Sequence, residues 1–255
     1  MSEPDVIIEV KNLNYKIKNK SKNFELQDIS FKVVKGQKFA ISGPNGSGKT
    51  TIFRLMVNLI KPKSGFIRIS DIEVNRKTAW QVRKKIGFLF QNPDDQLFAP
   101  TLWEDVAFGP RNLKISEEEV EKRVEWALKS VNMLEFQNAS PNNLSWGQMK
   151  RAALAGVLAM KPEILFLDEP FANLDFPTIK ELILILNKLI AENDLTVLFT
   201  THNQFFIENW ANYVIILDDG KIIFKGNPIE ALNNSRVQEI IGTWDEIMKI
   251  IGPEK

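Results

Sequence analysis

The sequence predicts an α/β fold built on a largely parallel sheet, and three observations predict it. Short apolar runs alternate along the chain with stretches whose apolar residues recur at helical spacing, the order in which strands and crossover helices build a parallel sheet. Two of those runs, EILFLDEP (163–170) and LTVLFTTH (195–202), stay apolar almost without interruption until they close on polar residues, as strands covered on both faces read. The opening of the chain differs: VIIEVKNLNYKI (6–17) and FELQDISFKVV (24–34) alternate apolar and polar at period two, the mark of half-buried antiparallel strands.

Each element can be justified in order. KFAISG (38–43) is a strand feeding a glycine-rich turn, and from Lys49 the residues Ile52, Leu55, Met56 and Leu59 share one helical face. After the Lys-Pro-Lys-Ser-Gly break at 61–65, FIRIS and IGFLF (86–90) read as strands, the second running into QNPDDQLFAP. The texture then becomes helical: LWEDVAF, then EEEVEKRVEWALKSV with Val120, Val124, Ala127, Leu128 and Val131 on one face, then a helix after Ser145. TIKELILILNKLIAEN (178–193) carries a stripe of Ile179, Leu182, Ile183, Leu186, Leu189 and Ile190, and YVIILDDGKIIFKG (213–226) is a hairpin turning at Asp219-Gly220. There is no internal repeat and no flexible linker. The chain therefore reads as a single domain over 1–255, in which 1–91 and 160–255 form the core and 92–159 an inserted helical block.

Composition narrows the function. At 255 residues the chain suits one core carrying an insertion. A hydrophobic share of 44% and a net charge of +1 give no basic field, so nucleic acid is not an expected partner. The absence of cysteine excludes disulfides, thiolate zinc sites and a cysteine nucleophile, and agrees with a reducing cytosol. MSEPDVIIEV carries acids and no long apolar core, so it does not read as a secretory signal. The longest apolar runs, LILIL (182–186) and YVIIL (213–217), fall far short of the roughly 18 residues a membrane span requires, so any span belongs to another chain.

The chemistry begins at GPNGSGKT (43–50), which fits G-x-x-x-x-G-K-[ST] with a strand before it and a helix after. Gly43, Gly46 and Gly48 let the backbone bend, through Pro44, Asn45 and Ser47, into a nest whose amides face phosphate, and the helix beginning near Lys49 adds its positive end. Lys49 would reach the β- and γ-phosphates. Thr50, followed by Thr51, would offer a hydroxyl to Mg²⁺. The flanking elements favour this reading over a chance glycine-rich turn. In LFLDEP the acids close a buried strand, at the sheet edge where ligands of open α/β sheets bind. Asp168 is thus a candidate partner of Mg²⁺, directly or through another group, and Glu169 a candidate base for an attacking water. Acids also favour helix starts, but a phosphate loop upstream makes that the weaker account. His202 is the only histidine, and alone it would read as a structural residue. Because TTH closes one buried strand as DE closes another, a neutral imidazole there is placed to donate to the γ-phosphate.

Together these residues resemble the nucleotide-binding subunit of an ABC transporter. GPNGSGKT resembles its Walker A, Gln91 its Q-loop, LSWGQ (144–148) its signature, ILFLDE its Walker B, ANLD (172–175) its D-loop and His202 its switch histidine, six motifs in the family's order. The resemblance implies a P-loop NTPase, RecA-like core with a small antiparallel β region and a helical subdomain. It also implies MgATP held between two subunits, with Lys49, Gln91, Glu169 and His202 catalytic and Thr50, Gln91 and Asp168 about the metal.

Ser145-x-x-Gln148 is also a capping-box pattern, so LSWGQMKR can be read simply as a well-capped helix. The resemblance adds that this helix tip, through the Ser145 hydroxyl, the Gly147 amide and Gln148, meets the γ-phosphate held by the opposite subunit. Trp146 stands where the family has a glycine, and the site works if Trp146 points away from phosphate, toward the facing subunit or solvent. The aromatic on which the family stacks adenine falls at Ile17, with Tyr15 two residues earlier, and which residue holds the base stays open. EEEVEKRVEW (117–126) reads as a solvated face, and Phe171 and Phe176 as packing residues.

The segment 90–113 with ALAGVLAMKPEILFLDEP is similar to the ATP-binding subunits of energy-coupling-factor importers, including the cobalt and nickel systems. That implies a chain at the cytoplasmic face of a membrane. Its partners would be a second ATPase, identical or paralogous, a transmembrane transducer and a substrate-capturing membrane subunit. A soluble kinase has no need of LSWGQ or a D-loop. A non-transport ABC ATPase is the alternative, although too few residues separate Gln91 from the signature for a long coiled-coil arm.

Overall fold

The computed structural model describes residues 5–19 and 22–242, which fall into two compact units, Met1–Ala79 with Thr200–Lys255, and Trp80–Phe199.

The chain opens in the first unit with β1 (Val6–Asn19), β2 (Lys22–Val34), β3 (Lys38–Ser42), α1 (Lys49–Met56), β4 (Ser64–Ile69) and β5 (Ile72–Glu73). The second unit holds most of α2 (Ala79–Lys85), then β6 (Ile86–Leu89), α3 (Leu102–Asn112), α4 (Glu117–Ser130), α5 (Trp146–Leu158), β7 (Ile164–Leu167), α6 (Phe176–Asn193) and most of β8 (Thr196–Thr201). The chain then returns to the first unit with α7 (Gln204–Trp210), β9 (Tyr213–Asp218), β10 (Lys221–Gly226), α8 (Pro228–Leu232) and α9 (Ser235–Ile241).

In the first unit β2-β1-β4-β5 form an antiparallel sheet, as the period-two alternation of 6–17 and 24–34 requires. Ile8, Val10, Leu13, Leu26, Ile29, Phe31 and Val33 are its buried residues. Burying each such side chain contributes roughly 1.5–3 kcal/mol. The ring of Phe39 on β3 lies between Phe31 and Tyr213, at centroid distances of 5.4 and 5.3 Å. β9 runs parallel to β3 and antiparallel to β10. The turn between β9 and β10 has φ of 40° at Asp219 and 74° at Gly220, the two positive values that a two-residue hairpin of the favoured hand demands. A side chain at Gly220 would meet the Glu25 carbonyl at 1.8 Å, and the Gln27 amide donates to the Gly220 carbonyl at 2.9 Å, so the hairpin tip is held against β2.

In the second unit β6, β7 and β8 pair in parallel, with Phe88 opposite Phe166 and Leu165 opposite Val197. Every residue of β7 and β8 is buried, which is why both read as unbroken apolar runs. Val120, Val124, Ala127 and Leu128 of α4 are fully buried, while Lys122–Glu118 and Lys129–Glu125 pairs at i,i+4 cover its outer face, the solvated face the charge pattern predicts.

One helix is shorter than its pattern. The stripe from Ile52 continues to Leu59, but α1 ends at Met56, Asn58 turns left-handed at φ 53°, and Leu59 is exposed. The Leu59 amide then closes back on the Arg54 carbonyl at 2.9 Å, a helix-terminating bond. Helices α2, α7, α8 and α9 and strand β5 are too short to carry a readable period. Among the described residues, no helix is long and apolar enough to cross a membrane.

Candidate functional site

The first unit holds the glycine-rich loop. β3 delivers the chain to Gly43, which has φ 140° and sits so close to β9 that a Cβ there would lie 2.1 Å from the Leu217 carbonyl oxygen. Gly48, at φ 112°, has equally little room, 2.6 Å from Leu26 on β2. These two positions demand glycine by both backbone sign and space. Lys49 is buried, and its ammonium donates to the carbonyls of Gly43 at 2.8 Å and Pro44 at 3.1 Å, so the charge is held inside the curve of the loop. Asn45 and Gly46 are exposed at the tip, and Thr50 and Thr51 lie half-buried in the first turn of α1. The Ser47 hydroxyl is buried without a hydrogen-bond partner. A buried polar group left unpaired costs about 1–3 kcal/mol, so the loop carries a donor suited to an incoming oxygen. A left-handed turn, a buried ammonium and an unpaired hydroxyl together fit a chain of phosphates.

His202, exposed just beyond β8, joins that loop. A pocket of about 230 Å³ is lined by Gly43, Pro44, Asn45 and His202 and walled by Ile240 and Ile241 of α9. The sequence foresaw the histidine and the loop but not the α9 wall, whose only signal is the cap residue Asn234 before a seven-residue helix. The register of β1 on β2 places Ile17 opposite Phe24, whose ring edge lies 2.7 Å from the point where Gly48 would carry a Cβ. Phe24 therefore joins Ile17 and Tyr15 as an apolar wall near the loop.

The second unit holds the acids. Asp168 and Glu169 follow β7 and are both buried. The Asp168 amide donates to the Leu89 carbonyl at 2.9 Å, carrying the β6–β7 ladder one residue further, and Glu169 then turns left-handed at φ 44°. Such a conformation in a non-glycine residue is held only where surrounding bonds enforce it. Gln91 lies exposed just beyond β6. Phe171 is buried as expected, but Phe176 is 78% exposed: it heads α6 with its ring outside this chain's core, contrary to a packing role.

The signature segment is a capped helix. The Ser145 hydroxyl accepts from the Gln148 amide at 3.3 Å, and the Gln148 side chain accepts from the Ser145 amide at 2.8 Å. Gly147 has a packing reason besides any ligand, because a Cβ there would come within 2.5 Å of the Thr178 methyl on α6. Trp146 is half-buried, and its indole nitrogen is buried without a partner.

Sequence reading missed the residues that hold Gln91 in place. Lys150 of α5 is completely buried and donates to the carbonyls of Phe90 at 3.2 Å and Gln91 at 2.5 Å. Burial lowers its pKa to about 8, opposed by the charges of Asp168 and Glu169. Gln96 accepts from the Phe90 amide at 3.0 Å and donates to the Phe88 carbonyl at 3.2 Å. Buried Asp105 of α3 accepts from the amides of Phe98 and Ala99 at 2.7 and 2.8 Å. The available signal for Lys150 was its place in line with Leu154 and Val157 on the buried face of α5.

A larger cavity of about 550 Å³ lies elsewhere in this unit, between α4 and the ends of α5 and α6. Its cations Arg123 and Lys161 both pair with Glu119, and Lys122 pairs with Glu118, so it presents no cluster of bare charge.

The family profile described as ABC transporter matches residues 26–172, more than half of the chain. The chain belongs to the ABC transporter ATP-binding family. It is an ATP-binding ABC ATPase. A shorter match to an AAA-domain profile covers 137–208. An energy-coupling factor transporter ATP-binding protein EcfA of Methanococcus maripaludis is 43% identical over 231 residues, 90% of this chain and 82% of that protein. The structure of cbiO1 from Clostridium perfringens, described as part of the ABC transporter complex cbiONQ, superposes with a TM-score of 0.81 at 35% identity, covering 97% of this chain and 99% of that one. The ATP-binding cassette MJ0796, in a dimeric post-hydrolysis state bound to ADP and Pi, gives a TM-score of 0.75 at 30% identity, covering 87% and 98%. These ABC cassettes share the mixed α/β architecture described above, with an antiparallel sheet, parallel strands and surrounding helices.

Proposed function

We propose that this chain is the ATP-hydrolysing subunit that powers an energy-coupling-factor-type ABC importer of a micronutrient, a cobalt or nickel ion or a vitamin. The likeness to EcfA over nine-tenths of the chain supports the importer class. The observation that carries the reading is that one chain possesses both grips an ATP sandwich needs. One is a loop, 43–50, whose buried lysine and unpaired Ser47 hydroxyl await phosphate oxygens; the other is the capped helix tip 145–148.

In this reading the amides of Gly43 to Gly48 and the Lys49 ammonium bind the phosphates, and Thr51 follows them in the first turn. Glu169 orients and deprotonates the attacking water, and His202 donates to the γ-phosphate. Ser145, Gly147 and Gln148 of a second subunit close over the same phosphate, so ATP itself joins the pair. Among the described residues no cluster of three carboxylates or histidines is suited to a metal on its own. Thr50, Asp168 and Gln91 would offer oxygen donors to Mg²⁺ brought with the nucleotide, and the ion would supply positive charge to the phosphates. The second subunit is an identical or paralogous cassette, and the pair works beneath a transmembrane transducer and a substrate-capturing membrane subunit. Residues 92–159 form the helical subdomain of a single cassette.

The test is Glu169→Gln. The variant should bind ATP with little change, lose at least about a hundredfold in turnover and elute as a dimer in MgATP, since the base alone is removed. Hydrolysis at the parental rate overturns the assignment. Co-purification from detergent-solubilised membranes is the second arm: a chain that comes down alone is a soluble ATPase, not an importer subunit.

A further inference from the structure

The carbonyls that follow β6 are held by side chains from farther along the chain. β6 leaves its ladder with β7 at Leu89, and the next residues, Phe90 and Gln91, pair with no strand on the far side among the described residues. Their part-buried backbone groups take hydrogen bonds from elsewhere. Two side chains supply them. Gln96 occupies the Phe88 carbonyl and the Phe90 amide, and Lys150 occupies the Phe90 and Gln91 carbonyls. Gln96 also reaches the Ala153 carbonyl on α5 at 3.5 Å, a second and longer tie to the same helix.

Lys150 lies on the first turns of α5, five residues after the Ser145 cap, or about 7.5 Å along the axis. A fully buried lysine is among the rarest of side-chain placements, because removing an ammonium from water is costly unless donors and charges compensate it. Here the compensation comes from the backbone of the Gln91 segment and from the neighbouring charges of Asp168 and Glu169.

From this geometry we infer that Lys150 is a positioning residue that pins the backbone of Gln91 to the signature helix, so that the helix tip and the Gln91 loop move as one piece during hydrolysis. The ammonium bonds the Phe90 and Gln91 carbonyls and not the Ser145 cap. It acts through the Gln91 carbonyl, which sets where the Gln91 side chain emerges. Glutamine, one atom shorter and uncharged, does not span both carbonyls as the ammonium does, and leaves α5 free to shift against the loop.

This inference rests on the role given above to Gln91, and the experiment separates the two. Lys150→Gln, Gln91→Ala and the double variant are compared with the parent for ATP affinity, turnover and thermal melting. Lys150→Gln should lower kcat at least about tenfold while ATP affinity changes less than about threefold, because the phosphate loop is untouched. In the Gln91→Ala background the same substitution should cost less than about threefold, since the residue through which it acts is gone. A turnover within about threefold of the parent overturns the inference, and so does an equal loss in both backgrounds. Gln91→Ala turning over at the parental rate overturns the assignment of Gln91 instead, and is read from that single variant alone. Should Lys150→Gln not fold, Lys150→Met, which keeps most of the apolar stem and the volume but has no donor, carries the same assay. Failure of both to fold makes the lysine a determinant of the fold and overturns a positioning role.

Discussion

At the scale of single residues, the signature helix explains itself more through packing than through its motif. Gly147 faces the β-branched Thr178, whose methyl would sit 2.5 Å from an added Cβ. A branched side chain has few rotamers into which to retreat. Gly147→Ala gains up to about 1 kcal/mol in helix propensity. Overpacking costs about 1–3 kcal/mol, so the net effect is destabilising. Chemical denaturation should show that loss, and Thr178→Ala in the same chain should remove most of it. A loss unchanged by Thr178→Ala would place the cost elsewhere. Trp146 makes the opposite case. Its ring is half-buried with an unpaired nitrogen, while the Ser145–Gln148 box beside it is intact. Trp146→Gly should therefore change turnover by less than about fivefold, because neither capping bond involves its side chain. A gain of a hundredfold or more would mean that the natural tip is obstructed.

At the scale of elements, helix α6 starts on Asp175, whose carboxylate accepts from the Thr178 amide at 3.0 Å. The Thr178 hydroxyl, then its amide, hold the Asp175 pKa below its ordinary value of 3.8. A folded-state pKa below the unfolded one means that the ionised cap favours the folded state above the unfolded value and that this contribution is lost as pH falls through the folded one. Asp175→Asn retains a side-chain acceptor but does not titrate. The melting temperatures of parent and variant should thus differ most above pH 5 and converge as pH falls below 3.8, and a constant gap would refute the assignment. This cap sits three residues before the pattern at 178–193, so the helix was legible although its first turn was not. What could be read locally was read well: the two buried strands, the 213–226 hairpin, the capping box and the glycine loop each depend on neighbours a few residues away. Lys150 could not be found in that way, because its partners lie 59 and 60 residues upstream and its letter reads as a surface cation. Leu59 misled for the converse reason. It kept the helical period after the backbone at Asn58 had already turned.

At the scale of the whole molecule, the two grips belong to one chain, and the proposed pairing makes each ATP rely on the loop of one copy and the helix tip of another. A symmetric dimer of identical chains contains two such composite sites. A Lys49→Ala chain loses the loop side and a Ser145→Ala chain loses the tip side, so each alone should be nearly inactive. Mixed in equal amounts, half of the dimers contain one of each. In those dimers the two lesions fall together in one site, leaving the other with an intact Lys49 and an intact Ser145. The mixture should recover about a quarter of the parental rate if the sites turn over independently. A chain that completes its own site internally predicts no recovery, because each copy would carry its lesion wherever it goes. Steady-state hydrolysis of the mixture against the two variants alone, measured across a dilution series, therefore decides between them: activity that appears on mixing and falls on dilution establishes a shared site, and a mixture no faster than the mean of its components overturns it.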